Sequence, residues 1–180
     1  MTCIVGVEHE GRVWMGGDSA GVSGWLHHQR TDAKVFRRGP FIMGFTTSFR
    51  MGQLLRYTLD ATPQQKAQGD HEYLATTFVD AVRRCLKDGG FAKLEAAQEE
   101  GGDFLVGYRG HLYQVCSDYQ VASNSAGFDS VGCGREIALG ALHVTEGQPP
   151  RRRVATALEA ATRFSAGVSA PFHIIKDNRA

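Results

Sequence analysis

Thr2, Asp18 and Lys34 have the types and the order that hydrolysis needs. A threonine that becomes N-terminal on removal of Met1 carries a hydroxyl and a free α-amine on one residue. The nucleophile then brings its own base. Such an amine has an unperturbed pKa of roughly 7.7–8.0, so part of it is neutral near pH 7 and can take the hydroxyl proton. A nearby cation lowers that pKa and stabilises negative charge as it develops. Lys34 supplies the cation, and Asp18 supplies an anion to hold it charged and oriented. Taken singly, each residue has a plain reading: Thr2 a strand residue if Met1 stays, Asp18 a turn residue after two glycines, Lys34 a surface lysine. The conjunction favours the chemical reading.

The elements that must position these residues follow from hydrophobic period and turn residues. Ile4 to Glu8 and Arg12 to Gly17 form a hairpin around Glu8-His9-Glu10-Gly11. Gly21 to Thr31 is a glycine-rich loop or short strand pair. Ala33 to Arg37 and Phe41 to Phe45 are strands joined at Gly39-Pro40. Ser48 caps a helix bearing Met51, Leu54, Leu55 and Leu59. Residues 61–69 connect to a second helix, capped by Asp70, with Tyr73, Leu74, Phe78, Val82, Cys85 and Leu86 on one face and Gly89-Gly90 at its end. Phe104 to Tyr108 and Leu112 to Cys116 are strands joined at Arg109-Gly110. Residues 119–130 read as a strand end and loop. Gly132-Cys133-Gly134 opens a third helix to about Leu142, Pro149-Pro150 starts a fourth with Val154, Leu158 and Ala161, and Phe172 to Lys176 is the last strand. Hairpin-joined strands are not the parallel crossovers of a doubly wound fold. The order predicts an α+β fold, a four-layer α/β/β/α sandwich of two antiparallel sheets, as a single domain over 1–180.

Composition narrows the partners. The 180 residues carry 20 basic and 19 acidic side chains, a formal charge of +1. That balance calls for neither nucleic acid nor an anionic membrane. Arg151-Arg152-Arg153 is the one basic run and reads as a solvated helix face. No apolar stretch approaches the roughly 20 residues of a membrane span, and residues 1–15 lack the pattern of a secretory signal. The expectation is a cytoplasmic protein with its four cysteines, Cys3, Cys85, Cys116 and Cys133, reduced. No Cys or His spacing suits zinc, and His27-His28 point to opposite faces of a strand. No metal or cofactor is expected.

Thr2-Cys3-Ile4-Val5-Gly6-Val7, Gly16-Gly17-Asp18-Ser19 and Ala33-Lys34-Val35 together resemble the proteasome β-subunit family, nearest its bacterial HslV-type branch. Met43-Gly44-Phe45 and Val131-Gly132-Cys133-Gly134 extend the resemblance over nearly the whole chain. It implies an N-terminal nucleophile (Ntn) hydrolase, a threonine peptidase acting on unfolded polypeptide inside a self-assembled ring, with an AAA+ unfolding ATPase as a possible partner. It assigns Thr2, Asp18 and Lys34 to the catalytic centre. Where the family usually has glycine to hold the oxyanion, Thr46-Thr47-Ser48 stands, which passes that role to the amide of Thr47 or Ser48. Cys133 occupies the position of a family serine in the relay to the N-terminal amine, and a thiol is the weaker donor. The family's relay aspartate has no counterpart in Ala161 to Gly167; Ser165 and Ser169 are the hydroxyls near enough to replace it. A non-catalytic ring or shell protein of the same fold is the alternative, and a small-amide hydrolase a further one.

Overall fold

The computed structural model describes residues 1–95 and 98–178. Strands β1 (Cys3–His9) and β2 (Arg12–Gly17) form the first hairpin. Its turn residues Glu10 and Gly11 have φ of 50° and 67°, the left-handed pair whose twist matches that of the flanking strands. β3 (Ala20–Ser23) and β4 (Leu26–Gln29) are a short separate hairpin, so the glycine-rich stretch is a strand pair and not a loop. β5 (Val35–Arg38) pairs with β6 (Phe41–Phe45).

Helix α1 (Phe49–Tyr57) is capped as expected: the Ser48 hydroxyl oxygen accepts the Arg50 N–H at 3.1 Å. The second helical region runs from α2 (Asp70–Tyr73) through a π-type turn at Leu74–Phe78 into α3 (Val79–Asp88). Its N-cap is Gly69, not Asp70. The Asp70 carboxylate instead accepts from Gln64 and Arg109, at 2.8 and 3.1 Å, which ties the connection and a strand turn to the helix. The short pair β7 (Lys93–Glu95) and β8 (Gln98–Glu100) follows, then β9 (Phe104–Tyr108) and β10 (His111–Val115) around Arg109-Gly110.

Within the segment expected to be a strand end and loop lie β11 (Val121–Ala122) and β12 (Phe128–Gly132). The sequence Phe128-Asp129-Ser130-Val131 does not alternate, so its period gives no strand signal; pairing with β1 makes it one. Helices α4 (Arg135–Val144) and α5 (Pro150–Phe164) and strand β13 (His173–Lys176) complete the chain.

The strands form two main antiparallel sheets, ordered β12-β1-β2-β13 and β11-β10-β9-β6-β5. Ile4, Val13, Met15, Val35, Ile42, Leu105, Leu112 and Val131 are buried between them. α4 and α5 cover the other face of the first sheet, where Cys3, Val5 and Val7 meet Ala138, Leu142, Val154 and Leu158. A third core joins the second sheet to α1, α2 and α3 through Met43, Phe45, Phe104 and Val106 against Met51, Leu55, Phe78 and Val82. The fold is thus a mixed α and β one with antiparallel sheets. No helix among the described residues is long and apolar enough to cross a membrane.

Candidate active site

The site gathers where β1 begins. Thr2 precedes β1, and both Thr2 and Cys3 are buried. β12 runs antiparallel beside β1 with Gly132 opposite Cys3. The approach is close: a Cβ on Gly132 would stand 2.2 Å from the Thr2 carbonyl oxygen, and its φ of 101° is one that L side chains rarely adopt. Only glycine lets the turn at 132–134 fold over the N-terminus.

Asp18 and Lys34 form a fully buried ion pair, 2.9 Å from Nζ to Oδ1. Asp18 leaves β2 at the end of the glycine pair, and Lys34 enters β5. The same Oδ1 accepts the Cys3 N–H at 2.9 Å. The other oxygen accepts the N–H of Ala20 at 2.8 Å and of Ser169 at 3.4 Å. One carboxylate therefore joins the nucleophile's strand, its own turn, the lysine and the segment after α5. Burial lowers the Lys34 pKa below the ordinary lysine value, and the charge and hydrogen bond of Asp18 oppose that fall. The pair is what keeps a buried ammonium charged.

Around Thr2 lie sulfur and hydroxyl groups. The Thr2 N–H points at Cys133 Sγ at 3.3 Å, and the thiol reaches the Thr2 carbonyl at 3.4 Å. Ser165 Oγ stands 3.4 Å from the same sulfur. Of the two serines singled out from the sequence, Ser165 meets Cys133, while Ser169 hydrogen-bonds His27 through its hydroxyl and Asp18 through its amide. The Thr2 hydroxyl donates to the Met1 carbonyl at 2.5 Å. Cys3, one residue on, is a packing residue: burial pushes its thiol up to about 12.

The loop 46–48 resolves which amide is free. The Ser48 N–H donates to the Thr46 carbonyl at 2.6 Å, and its hydroxyl caps α1. The Thr47 N–H has no acceptor among the described residues. Thr47 sits at φ 59°, a left-handed conformation that is strained for a β-branched residue. Its side chain holds the loop by accepting the Asp103 N–H at 3.3 Å. A cavity of about 80 Å3 is lined by Thr2, Thr46, Thr47 and Ser48 together with Met1, Val22, Phe45 and Phe49. A larger cavity, about 760 Å3, lies among the turns at Gly11, Gly39 and Gly110 and contains none of these groups.

Sequence reasoning missed Phe49 and Arg30. The Arg30 guanidinium stacks 4.2 Å from the centroid of the Phe49 ring and is held by Asp32 at 2.7 and 2.8 Å. The Arg-x-Asp spacing was the one available signal. Among the described residues, no group of three or more His, Cys, Asp or Glu side chains is arranged to hold a metal.

No protein-family model matches this sequence, and no curated protein matches it. Solved structures do. BPH from Thiobacillus denitrificans superposes with a TM-score of 0.80 at 18% identity, covering 99% of each chain. The same protein in complex with epoxomicin gives 0.78 at 19%, covering 99% of this chain and 100% of that one. HslV from Trypanosoma brucei gives 0.71 at 16%, covering 98% of this chain and 100% of that one. Identity this low establishes architecture, and over the full length: this chain has the fold of the HslV-type, proteasome-like proteins.

Proposed function

We propose that this protein is an N-terminal threonine peptidase that hydrolyses unfolded polypeptide within a ring of its own copies. The observation that carries the reading is the buried Asp18–Lys34 pair, 2.9 Å apart, whose carboxylate also grips the amide of Cys3 beside Thr2. A buried ion pair is a poor stability device, and this one is tied through the Cys3 amide to the strand that follows Thr2. The fold shared with HslV and BPH is consistent with it. The packing of helices, sheet, sheet and helices is read as one four-layer domain.

Once Met1 is removed, the neutral Thr2 amine accepts the Oγ1 proton as Oγ1 attacks a peptide carbonyl carbon. The oxyanion takes the Thr47 N–H, and Lys34 stabilises the developing charge. Collapse breaks the C–N bond, and the departing amine takes the proton held by the Thr2 amine. Water then hydrolyses the ester, with the amine again as base, and restores Thr2. Cys133 and Ser165 orient the amine. No metal or cofactor enters. An AAA+ unfoldase is the partner this reading anticipates, and a cytoplasmic ring its setting.

The second reading is a non-catalytic shell protein. The Cys133–Ser165 contact favours it, because among the described residues no carboxylate joins these two groups. The deciding experiment uses protein whose intact mass shows that Met1 is gone. Peptidase activity towards peptides or casein, lost in Thr2→Ala with assembly retained, supports the peptidase. Fully processed wild-type protein without turnover overturns it. Epoxomicin, seen bound to BPH, is a suitable probe, with its adduct mapped to Thr2.

A further inference from the structure

Thr2 lies at one end of β1, and the cavity of about 760 Å3 lies at the other, among the hairpin turns. Its size is within the range of small-molecule sites. Phe41 and Tyr108 are almost fully buried and stack 5.0 Å apart, and with Pro40 they give the cleft an apolar wall. Of the charged side chains around it, Arg109 is already paired with Asp70. The other four are Arg12, Arg37, Glu10 and Asp177. Glu10 reaches only His9, at 3.9 Å, and no ion pair joins the four to one another among the described residues.

The arginines are turned onto main chain instead. Arg12 reaches in from the first sheet and Arg37 from the second, and both stop at the end of β13. Arg37 donates through Nε and Nη2 to the Lys176 carbonyl, and Arg12 donates through Nη1 to the Asp177 carbonyl at 3.4 Å. The Asp177 N–H donates to the Val13 carbonyl at 3.0 Å, which fixes that residue against β2. Arg12 thereby keeps its Nε–Nη2 edge without an acceptor among the described residues. That edge is a fork that fits a carboxylate. Two guanidiniums and two carboxylates stand round one cleft without meeting.

We propose that this cleft is a second binding site, for a zwitterion: a free α-amino acid or a short peptide with both ends uncapped. The α-carboxylate takes the Arg12 fork with Arg37 beside it. The α-ammonium takes Glu10 or Asp177, and an apolar side chain lies on Phe41, Tyr108 and Pro40. A polyanion is disfavoured by the two carboxylates and a simple amine by the two guanidiniums. The site shares no residue with the Thr2 cavity, so it stands or falls apart from the peptidase reading.

The test is calorimetric titration of the full chain with phenylalanine, Leu-Phe and Ala-Leu-Phe. Each added residue separates the charged ends by at most roughly 3.5 Å, so the tightest of the three tells whether the site takes an amino acid or a peptide. N-acetylation and C-amidation of that ligand should each weaken binding by at least about tenfold, the loss expected for one charge-assisted contact. Arg12→Gln should weaken the uncapped ligand to the level of its amide and no longer tell the two apart. If Arg12→Gln does not fold, the capped ligands on the wild type carry the test. Binding that ignores amidation or acetylation, inorganic phosphate binding as tightly as the uncapped ligand, or no binding of any of the three at millimolar concentration overturns the proposal.

Discussion

Neutralising Asp18 should harm this protein more than removing Lys34, and the structure says by how much. In Asp18→Asn the ammonium of Lys34 loses the one carboxylate within salt-bridge distance among the described residues while remaining almost fully buried. Stranding a buried charge in this way costs about 3–5 kcal/mol. In Lys34→Met the Asp18 carboxylate keeps the N–H donors of Cys3, Ala20 and Ser169. That loss is closer to one charged hydrogen bond, about 1.5–3 kcal/mol. Urea unfolding at one fixed protein concentration reads both, since assembly would otherwise shift the midpoint. With a slope of about 2 kcal/mol/M, Asp18→Asn lowers the midpoint by roughly 2 M.

The pH dependence has a definite sign. Burial depresses the folded-state pKa of Lys34 below its ordinary value. Between the folded and the unfolded pKa the unfolded chain binds more protons, so this group's contribution to stability rises with pH there. Without Asp18 the depression deepens. The deficit of Asp18→Asn should therefore shrink as pH rises towards the lysine range, as Lys34 sheds its stranded charge. A Lys34→Met protein less stable than Asp18→Asn, or a deficit that grows with pH, would refute the account.

Three further outcomes are expected. Cys133→Ser should leave peptidase activity equal or raise it, because a hydroxyl is a better acceptor for the Thr2 N–H and a better donor to the Thr2 carbonyl than a thiol; initial rates on one fluorogenic peptide decide this. Iodoacetamide at pH 8 should alkylate the exposed Cys133 and spare Cys3 until urea unfolds the chain, since the Cys3 thiol is buried and pushed up to about 12; peptide mapping by mass spectrometry checks it. Gly132→Ala should disrupt the N-terminal site, because its Cβ would meet the Thr2 carbonyl oxygen at 2.2 Å; a normal unfolding midpoint with intact activity would contradict the packing described.

Much of this molecule is legible in local chemistry. The first hairpin follows from a turn that needs left-handed residues, met by Glu10 and Gly11. Helix α1 follows from Ser48 and the spacing of Met51, Leu54 and Leu55. Thr2, Asp18 and Lys34 stand out because hydrolysis needs a nucleophile, a cation and its counter-ion, and those types are readable in a string. What a string lacks is distance. Strand β12 has no alternation to announce it, and it exists because β1 offers a pairing edge. That pairing alone carries Cys133 to Thr2, 131 positions away. The choice of Ser165 over Ser169 depends on how the chain leaves α5. The preference for the Thr47 amide over that of Ser48 depends on one φ angle and one carbonyl. The stack of Arg30 on Phe49 arises because the connection before β5 is packed against the start of α1. Sequence determined which groups are available and which local elements they ride on, because those depend on near neighbours; the tertiary structure alone decided which groups meet, because contact across the chain is fixed by the packing of the sheets and not by any short-range preference.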